Sequence, residues 1–202
     1  KHAQADMVRN IIPGGVECIF VRQAEQLGLG HAVLCAERAV GGDPFAVLLA
    51  DDFLTDYEPG VTADLVQAFA NSGKSQLSVM EVHGPDISKY GVVVPNGSGE
   101  GIAGLVEKPD AHDAPSNLAS ITRYVIAPDI FDTLQGLKAG SGGEIQLADA
   151  INIHAQHDSV ETVRLNGRRF DCGSVDGFFD AITYEYSAQA RFRKFDAVSI
   201  DR

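Results

Sequence analysis

Two adjacent carboxylates, Asp51 and Asp52, come directly after the apolar run Phe45 to Ala50. An apolar run of this length is typical of a strand that is buried on both faces of an α/β sheet. In open sheets with parallel strands, ligands bind beyond the carboxyl ends of the strands. Because Mg²⁺ prefers hard oxygen ligands and often takes one or two carboxylates together with substrate phosphates, Asp51 and Asp52 mark a suitable place for a metal ion.

A second carboxylate, Asp171, lies in the run FDCGS, between a short predicted strand at Arg168 to Phe170 and the last predicted helix. The fold could bring this residue to the same sheet edge as Asp51, where it would complete the metal site. The alternative is that Asp171 caps the following helix, because aspartate is a favoured N-cap residue. The sequence leaves both interpretations open.

The pair Glu107 and Lys108 ends another predicted strand, which Pro109 prevents from continuing. A carboxylate accepts hydrogen bonds from sugar hydroxyls, and an ammonium group beside it suits a phosphate as a point charge. The pair could therefore hold the two ends of a sugar phosphate. A surface ion pair is the alternative.

The run GLGHAV places Gly28 and Gly30 at the start of a predicted helix. A dinucleotide-binding motif would need a third glycine where Val33 stands, so this pattern fails. Glycines without side chains still let backbone N–H groups approach a base or a phosphate closely. An ordinary tight turn explains the same residues.

The segments that must position these groups alternate between strands and helices along the chain. Strands are predicted at Val16 to Arg22, Phe45 to Ala50, Ser75 to Val82, Val92 to Pro95, Ile102 to Lys108, Leu118 to Ile126 and Val160 to Leu165. Helices are predicted at Gly30 to Val40, Val61 to about Phe69, Asp129 to Leu137 and Gln146 to His157. This alternation predicts an α/β fold.

A last helix is predicted from apolar residues spaced at i, i+3, i+4, i+7 and i+11, and we interpret their common face as packed against the protein. The residues of this stripe are Val175, Phe178, Phe179, Ile182 and Tyr186.

Composition bounds the classes of function. The 202 residues include 45% hydrophobic residues and carry a formal charge of −12, which predicts one folded domain that does not bind nucleic acid. The apolar runs are far shorter than the ~20 residues that cross a bilayer. Three cysteines, Cys18, Cys35 and Cys172, cannot all pair, which favours a reducing compartment and a cytoplasmic location.

Several short motifs occur together along the chain: VRQ from Val21, GLGHAVLCA from Gly28, LLADD from Leu48, KYGVV from Lys89, VEKP from Val106, PSNLA from Pro115, RYV from Arg123, GEIQLADAI from Gly143 and DCG from Asp171. In this combination and order they resemble one enzyme family, the bacterial UTP–glucose-1-phosphate uridylyltransferases. The resemblance implies a nucleotidyltransferase fold, that is, a Rossmann-like mixed sheet flanked by helices. It also implies Mg²⁺ as cofactor, UTP and glucose-1-phosphate as substrates and UDP-glucose as product. We also expect a homo-oligomer, because a fold without its first strand would leave a strand edge and apolar surface uncovered beside Phe45 to Ala50.

The resemblance also implies roles for individual residues. Gln23 and Gly28 would contact uracil, and Gly91 and Glu107 would hold glucose. Lys108 would meet the sugar phosphate, which makes it a candidate catalytic residue together with Asp51. Both Asp51 and Asp171 would bind the metal, as stated above from their positions.

The sequence departs from the family pattern in three places. Ala148 stands where threonine is frequent and Thr122 where glycine is common, and we expect neither residue to touch the site. The family's glycine-rich loop, which wraps the triphosphate, does not occur here. We therefore expect a C-terminal portion of the fold, inactive by itself. The alternatives are a thymidylyl-, adenylyl- or guanylyltransferase, or a non-catalytic module that binds sugar nucleotides.

Overall fold

The computed structural model describes residues 2–55, 58–97 and 99–199. The helices in these ranges are α1 (His2–Arg9), α2 (Leu29–Cys35), α3 (Glu37–Val40), α4 (Val61–Ser72), α5 (Ile130–Gly136), α6 (Leu147–Ala155) and α7 (Val175–Ser199). The strands are β1 (Phe45–Leu48), β2 (Asp52–Thr55), β3 (Ser75–Glu81), β4 (Gly91–Pro95), β5 (Ile102–Glu107), β6 (Leu118–Ile126), β7 (Val160–Arg164) and β8 (Arg168–Asp171). Short 3₁₀ helices occupy Gly84–Lys89 and Ser141–Gly143.

The main sheet has six strands, with β5, β4, β6, β3 and β7 as neighbours in that order and β1 paired with β6. Only β3 and β7 are parallel among the described pairs, whereas β1, β3 and β4 each run antiparallel to β6. β2 and β8 form a separate antiparallel ribbon. The prediction of a mixed α/β sheet is confirmed.

Helices cover both faces of this sheet, because alternate residues of β6 enter different clusters of the core. Tyr124 and Ile126 pack into the cluster that includes residues of α5 and α6. Val125, between them, packs with Val61 and Leu65 of α4 on the opposite face. This two-faced burial is what an α/β fold requires.

One strand prediction near the amino terminus is wrong, and the burial predicted for a second strand is wrong. Val16 to Arg22 forms no strand, and Phe20 is 95% exposed. An extended segment needs a neighbouring strand for its backbone hydrogen bonds, and no described strand pairs with this one. β1 forms as predicted, but only one of its faces is covered: Phe45 and Val47 pack against the core, whereas Ala46 and Leu48 are exposed.

The predicted packing of the α7 stripe is also wrong. All five stripe residues are exposed, from Ile182 at 49% to Tyr186 at 75%. The helix docks on the β2–β8 ribbon through other positions: Ala181 is buried, the Tyr184 ring lies 5.4 Å from that of Phe170, and Glu185 accepts a hydrogen bond from Thr55. Within the described part of the chain, α7 and the other helices are all too short or too polar to cross a lipid bilayer.

Candidate functional site

Asp51 and Asp171 come from the ends of two strands that pair with each other. In the β2–β8 ribbon, Asp52 lies opposite Asp171. The carbonyl oxygen of Asp51, directly before β2, accepts a hydrogen bond from the backbone N–H of Cys172 at 2.8 Å. The structure therefore brings the two acids together through the ribbon rather than through the main sheet.

The two carboxylates border one small space beside Gly173. A Cβ atom at position 173 would lie 3.0 Å from Oδ2 of Asp51 and 3.2 Å from Oδ1 of Asp171. Glycine leaves this space open, and both acids are exposed to solvent. Two carboxylate oxygens around an open space are a donor set that suits Mg²⁺, which keeps several waters and adds substrate phosphates.

The helix-cap alternative for Asp171 does not describe the structure. Ser174 lies directly before α7, and its Oγ accepts a hydrogen bond from the backbone N–H of Gly177 at 3.1 Å. This is the contact of an N-cap serine with the third residue of its helix. The carboxylate of Asp171 instead accepts a hydrogen bond from the backbone N–H of Gly173, so it remains beside the candidate metal site.

Asp52, unlike its neighbour Asp51, is buried and fully engaged. Its Oδ1 accepts a hydrogen bond from Nε of Arg169 at 2.6 Å, and its Oδ2 accepts one from the backbone N–H of Thr122 at 3.2 Å. Buried carboxylates require such partners, because an unpaired charge in the interior is costly. Asp52 therefore pairs with groups inside the protein, whereas the exposed carboxylate of Asp51 is available to a ligand.

The residues predicted to hold the sugar phosphate lie at the β4–β5 hairpin. Gly91 is opposite Glu107, and a Cβ at position 91 would lie 3.1 Å from Oε2 of Glu107, so glycine leaves room for this carboxylate. The Lys108 ammonium lies 3.8 Å from Oε1 of Glu107, with both side chains exposed. The surface ion pair thus exists, and the role in sugar-phosphate binding stays a prediction.

The backbone of Lys108 supports a functional interpretation. Its φ of 44° lies in the left-handed region, which non-glycine residues seldom adopt and which costs on the order of 1 to 3 kcal/mol. A hydrogen bond from the Lys108 N–H to the carbonyl oxygen of Tyr90, at 3.0 Å, holds this conformation. Strained residues of this kind concentrate at ligand sites.

The residues predicted to contact uracil lie together at the start of α2. Gln23 donates a hydrogen bond through Nε2 to the carbonyl oxygen of Gly28 at 3.1 Å, and the same atom lies 2.9 Å from Nδ1 of His31. Cβ atoms on Gly28 and Gly30 would lie 2.8 Å and 2.7 Å from the carbonyl oxygen of Ile145. The two glycines therefore let the start of α2 pack closely against the backbone at Ile145. The sequence predicted a close approach to a base or a phosphate and did not predict this internal contact.

A cavity of about 320 Å³ connects these groups, within the usual size range of small-molecule sites. Four of the predicted site residues line it, namely Asp51, Gly91, Glu107 and Asp171. The remaining three lie next to lining residues or close to them: Lys108 follows Glu107, Gly28 precedes the lining residue Leu29, and Gln23 contacts Gly28. The structure therefore brings six of the seven to one cavity or its margin, and Gln23 to the residue behind that margin.

Sequence reasoning missed several lining residues. Among them, Lys89 and Tyr90 belong to the run KYGVV, and Arg169 lies two residues before the run DCG. These runs are the sequence signal that could have found them. The expectation that Thr122 and Ala148 lie away from the site is wrong, because both line the cavity.

One buried hydroxyl faces the same cavity. Tyr124 lines it, and its Oη lies 2.8 Å from Oγ of Ser120. Burial raises the pKa of the Tyr124 hydroxyl, with the hydrogen bonds to Ser120 and Thr122 opposing the shift. The group therefore stays protonated at neutral pH and acts as a neutral hydrogen-bonding partner.

Comparison with known proteins gives matches over most of the chain. Residues 2–187 match the family described as nucleotidyl transferase. A UTP–glucose-1-phosphate uridylyltransferase of Haemophilus ducreyi is 40% identical over 197 residues, covering 93% of this chain and 66% of that protein. The Escherichia coli K12 protein of the same name is 41% identical over 191 residues, covering 90% of this chain and 63% of its own length. The chain thus spans slightly less than two thirds of these curated relatives.

A solved structure is similar in fold as well as in sequence. A crystal structure of UDP-glucose pyrophosphorylase complexed with UDP-glucose superimposes with a TM-score of 0.82 at 38% identity, covering 93% of this chain and 72% of that one. The resemblance to this enzyme family and the nucleotidyltransferase fold are confirmed.

Proposed function

This chain belongs to the nucleotidyl transferase family, and we propose on that premise that the protein is a UTP–glucose-1-phosphate uridylyltransferase. It would convert UTP and glucose-1-phosphate into UDP-glucose and pyrophosphate. One observation carries the proposal: a single cavity is lined by Asp51 and Asp171, which suit a metal, and by Gly91 and Glu107, which suit a sugar. The names of the similar proteins support the same choice of substrates.

The proposed reaction is an in-line displacement. A phosphate oxygen of glucose-1-phosphate attacks the α-phosphorus of UTP, the bond from this phosphorus to the oxygen that bridges to the β-phosphate breaks, and pyrophosphate leaves with the bonding electrons. The attacking oxygen is already ionised at neutral pH, so no general base is required. Catalysis then depends on holding two anions in line and on neutralising their charge.

The chain's own residues would share this work. Asp51 and Asp171 would hold Mg²⁺, which supplies positive charge to the phosphates when it is bound. Glu107 would accept hydrogen bonds from glucose hydroxyls, and Lys108 would pair with the sugar phosphate. Gln23 has its amide nitrogen engaged with Gly28 and His31, so its carbonyl oxygen would accept a hydrogen bond from the uracil N3–H.

The test uses the protein translated from its whole reading frame. Pyrophosphate release is measured with glucose-1-phosphate, Mg²⁺ and each of UTP, dTTP, ATP and GTP, and the sugar nucleotide formed is identified by chromatography. We expect UTP to give the highest kcat/KM. A preference for another nucleotide would assign a different nucleotidyltransferase, and nucleotide binding without turnover would indicate a binding module; either result contradicts the proposal.

We further propose that the protein associates with a second copy of itself through the α7 stripe. The support is the exposure of all five apolar side chains of this stripe, since large exposed apolar patches commonly mark interfaces. Sedimentation velocity should show an oligomer that Phe178→Ser with Phe179→Ser weakens. A monomer at all concentrations contradicts this proposal.

The cytoplasm is the proposed location, supported by the free thiols of the three cysteines.

A further inference from the structure

Arg169 lies at the centre of the site although the proposed chemistry gives it no role. Its side chain is 13% exposed and that of its partner Asp52 is 7% exposed. The guanidinium contacts Oδ1 of Asp52 through both Nε and Nη2. A planar guanidinium with several fixed donors can hold two partners at once, which an ammonium group cannot do with the same geometry.

The same guanidinium reaches the candidate metal acids. Nη2 of Arg169 lies 3.8 Å from Oδ2 of Asp171, whose Oδ1 borders the space beside Gly173. Asp51 is tied to this arrangement twice, because it precedes Asp52 in the chain and its carbonyl oxygen accepts the N–H of Cys172. Arg169 therefore fixes the ribbon end from which both acids project.

Arg169 also contacts the sugar side of the cavity. Its Nη1 donates a hydrogen bond to the Tyr90 hydroxyl at 3.3 Å, and its guanidinium carbon lies 5.4 Å from the centre of the Tyr90 ring. The Tyr90 carbonyl oxygen accepts the N–H of Lys108, and Gly91 is the next residue. A continuous series of contacts thus runs from the metal acids to the strand ends that would hold the sugar phosphate.

We propose that Arg169 is a positioning residue, which holds the acids Asp51 and Asp171 at a fixed distance from the sugar-phosphate residues around Gly91 and Lys108. The inference rests on the proposed function, because it assigns the two groups of residues to the metal and to the sugar. In-line transfer needs both phosphates placed to within a fraction of an ångström, so loosening this link should cost turnover even where the protein stays folded.

A simpler role for Arg169 is to neutralise the buried Asp52. Arg169→Gln alone would leave that carboxylate unpaired, which destabilises proteins and confuses the two roles. Combining Arg169→Gln with Asp52→Asn removes both charges, and the two amides keep hydrogen-bond donors and acceptors that can pair with each other and with the Thr122 N–H. This double variant therefore separates positioning from charge neutralisation.

The experiment compares the double variant and Arg169→Lys with the wild-type protein from the whole reading frame. The control is Arg164→Gln, which removes an exposed ion pair between Arg164 and Glu81. We measure the melting temperature, the affinity for Mn²⁺ in the presence of UDP-glucose by electron paramagnetic resonance, and the kcat and KM values with glucose-1-phosphate and UTP.

We expect the double variant to melt near the wild-type temperature while its Mn²⁺ affinity falls by about tenfold or more, as for other residues that orient metal ligands. In the double variant kcat should fall and the KM for glucose-1-phosphate should rise. Arg169→Lys should give values between those of the double variant and the wild type, and Arg164→Gln should change none of the measured quantities. Wild-type Mn²⁺ affinity and KM in the double variant would overturn the inference. If the wild-type protein formed no UDP-glucose, the proposed function would fail, and the Mn²⁺ affinities would still decide the role of Arg169.

Discussion

The carboxylates of Asp51 and Asp171 meet at Gly173, although the two acids lie far apart in the chain. The point where a Cβ on Gly173 would lie is 3.0 Å from one carboxylate and 3.2 Å from the other. The pairing of β2 with β8 creates this relationship, because it places the residues at 52 and 171 opposite each other. Substitutions at Asp51 test a carboxylate of this arrangement, and a substitution at Gly173 tests the space between the two carboxylates.

Replacing Asp51 with alanine should lower Mg²⁺-dependent turnover by a factor on the order of 10² or more, since it removes a ligand of the charge-neutralising metal. The melting temperature should hardly change, because this side chain is exposed. Steady-state kinetics and thermal melts check both points, with the exposed Asp132→Asn as control. Asp52→Ala should instead lower the melting temperature, since it removes the buried carboxylate that pairs with the guanidinium of Arg169. If Asp51→Ala retained full turnover, the assignment of the metal ligand would be wrong.

Gly173→Ala should weaken metal binding without removing any ligand. The added methyl group would fill the space between the two carboxylates, so they would have to move apart. The matched control is Gly136→Ala in α5, where the methyl group meets nothing within 4 Å. Calorimetric titration of Mn²⁺ in the presence of UDP-glucose measures the difference. Equal Mn²⁺ affinity in both variants would show that the cation binds elsewhere.

Glu107→Gln should relax the choice of sugar. A carboxylate accepts hydrogen bonds only, whereas an amide also donates them, so hydroxyl orientation is read less strictly. The ratio of kcat/KM for glucose-1-phosphate to that for galactose-1-phosphate should fall. An unchanged ratio would mean that other residues read the sugar.

Lys108→Ala should weaken all sugar phosphates alike, because an ammonium group responds mainly to phosphate charge. The loss should shrink as salt is added, since the side chain is exposed and its charge is screened. KM values for two sugar phosphates at low and high ionic strength test this, with the exposed Lys138→Ala as control. Turnover of glucose-1-phosphate equal to that of the control would favour the surface ion pair.

Gly30→Ala should destabilise the fold by on the order of 1 to 3 kcal/mol, the usual cost of forcing an extra carbon into a packed interior. Its Cβ would lie 2.7 Å from the carbonyl oxygen of Ile145, and the Gly30 N–H donates to that oxygen at 2.9 Å. Gly42→Ala has open space and serves as the control in urea unfolding. Equal midpoints would disprove this packing argument.

Local sequence patterns predicted most elements of the fold. β6 was predicted with the bounds that the structure has, and α4 ends at Ser72, just before Gly73, which adopts the left-handed conformation expected after a helix. Both predictions succeed because periodicity, propensity and turn residues act within a few residues. The motifs LLADD, VEKP and DCG likewise pointed to the acids that line the cavity and to the cation beside it, since each motif marks a strand end.

What a pattern of apolar residues packs against is decided only by the tertiary structure. The α7 stripe and the segment Val16 to Arg22 have the spacing and composition of buried elements, yet both are exposed, because burial needs a partner surface that lies elsewhere in the chain or outside it. The same holds for Arg169: its sequence neighbours identify a strand end, but its contacts with Asp52, Asp171 and Tyr90 join three distant segments. The sequence by itself determined the order of elements and the chemistry of the acids, whereas their distances and partners came from strand pairing across the fold.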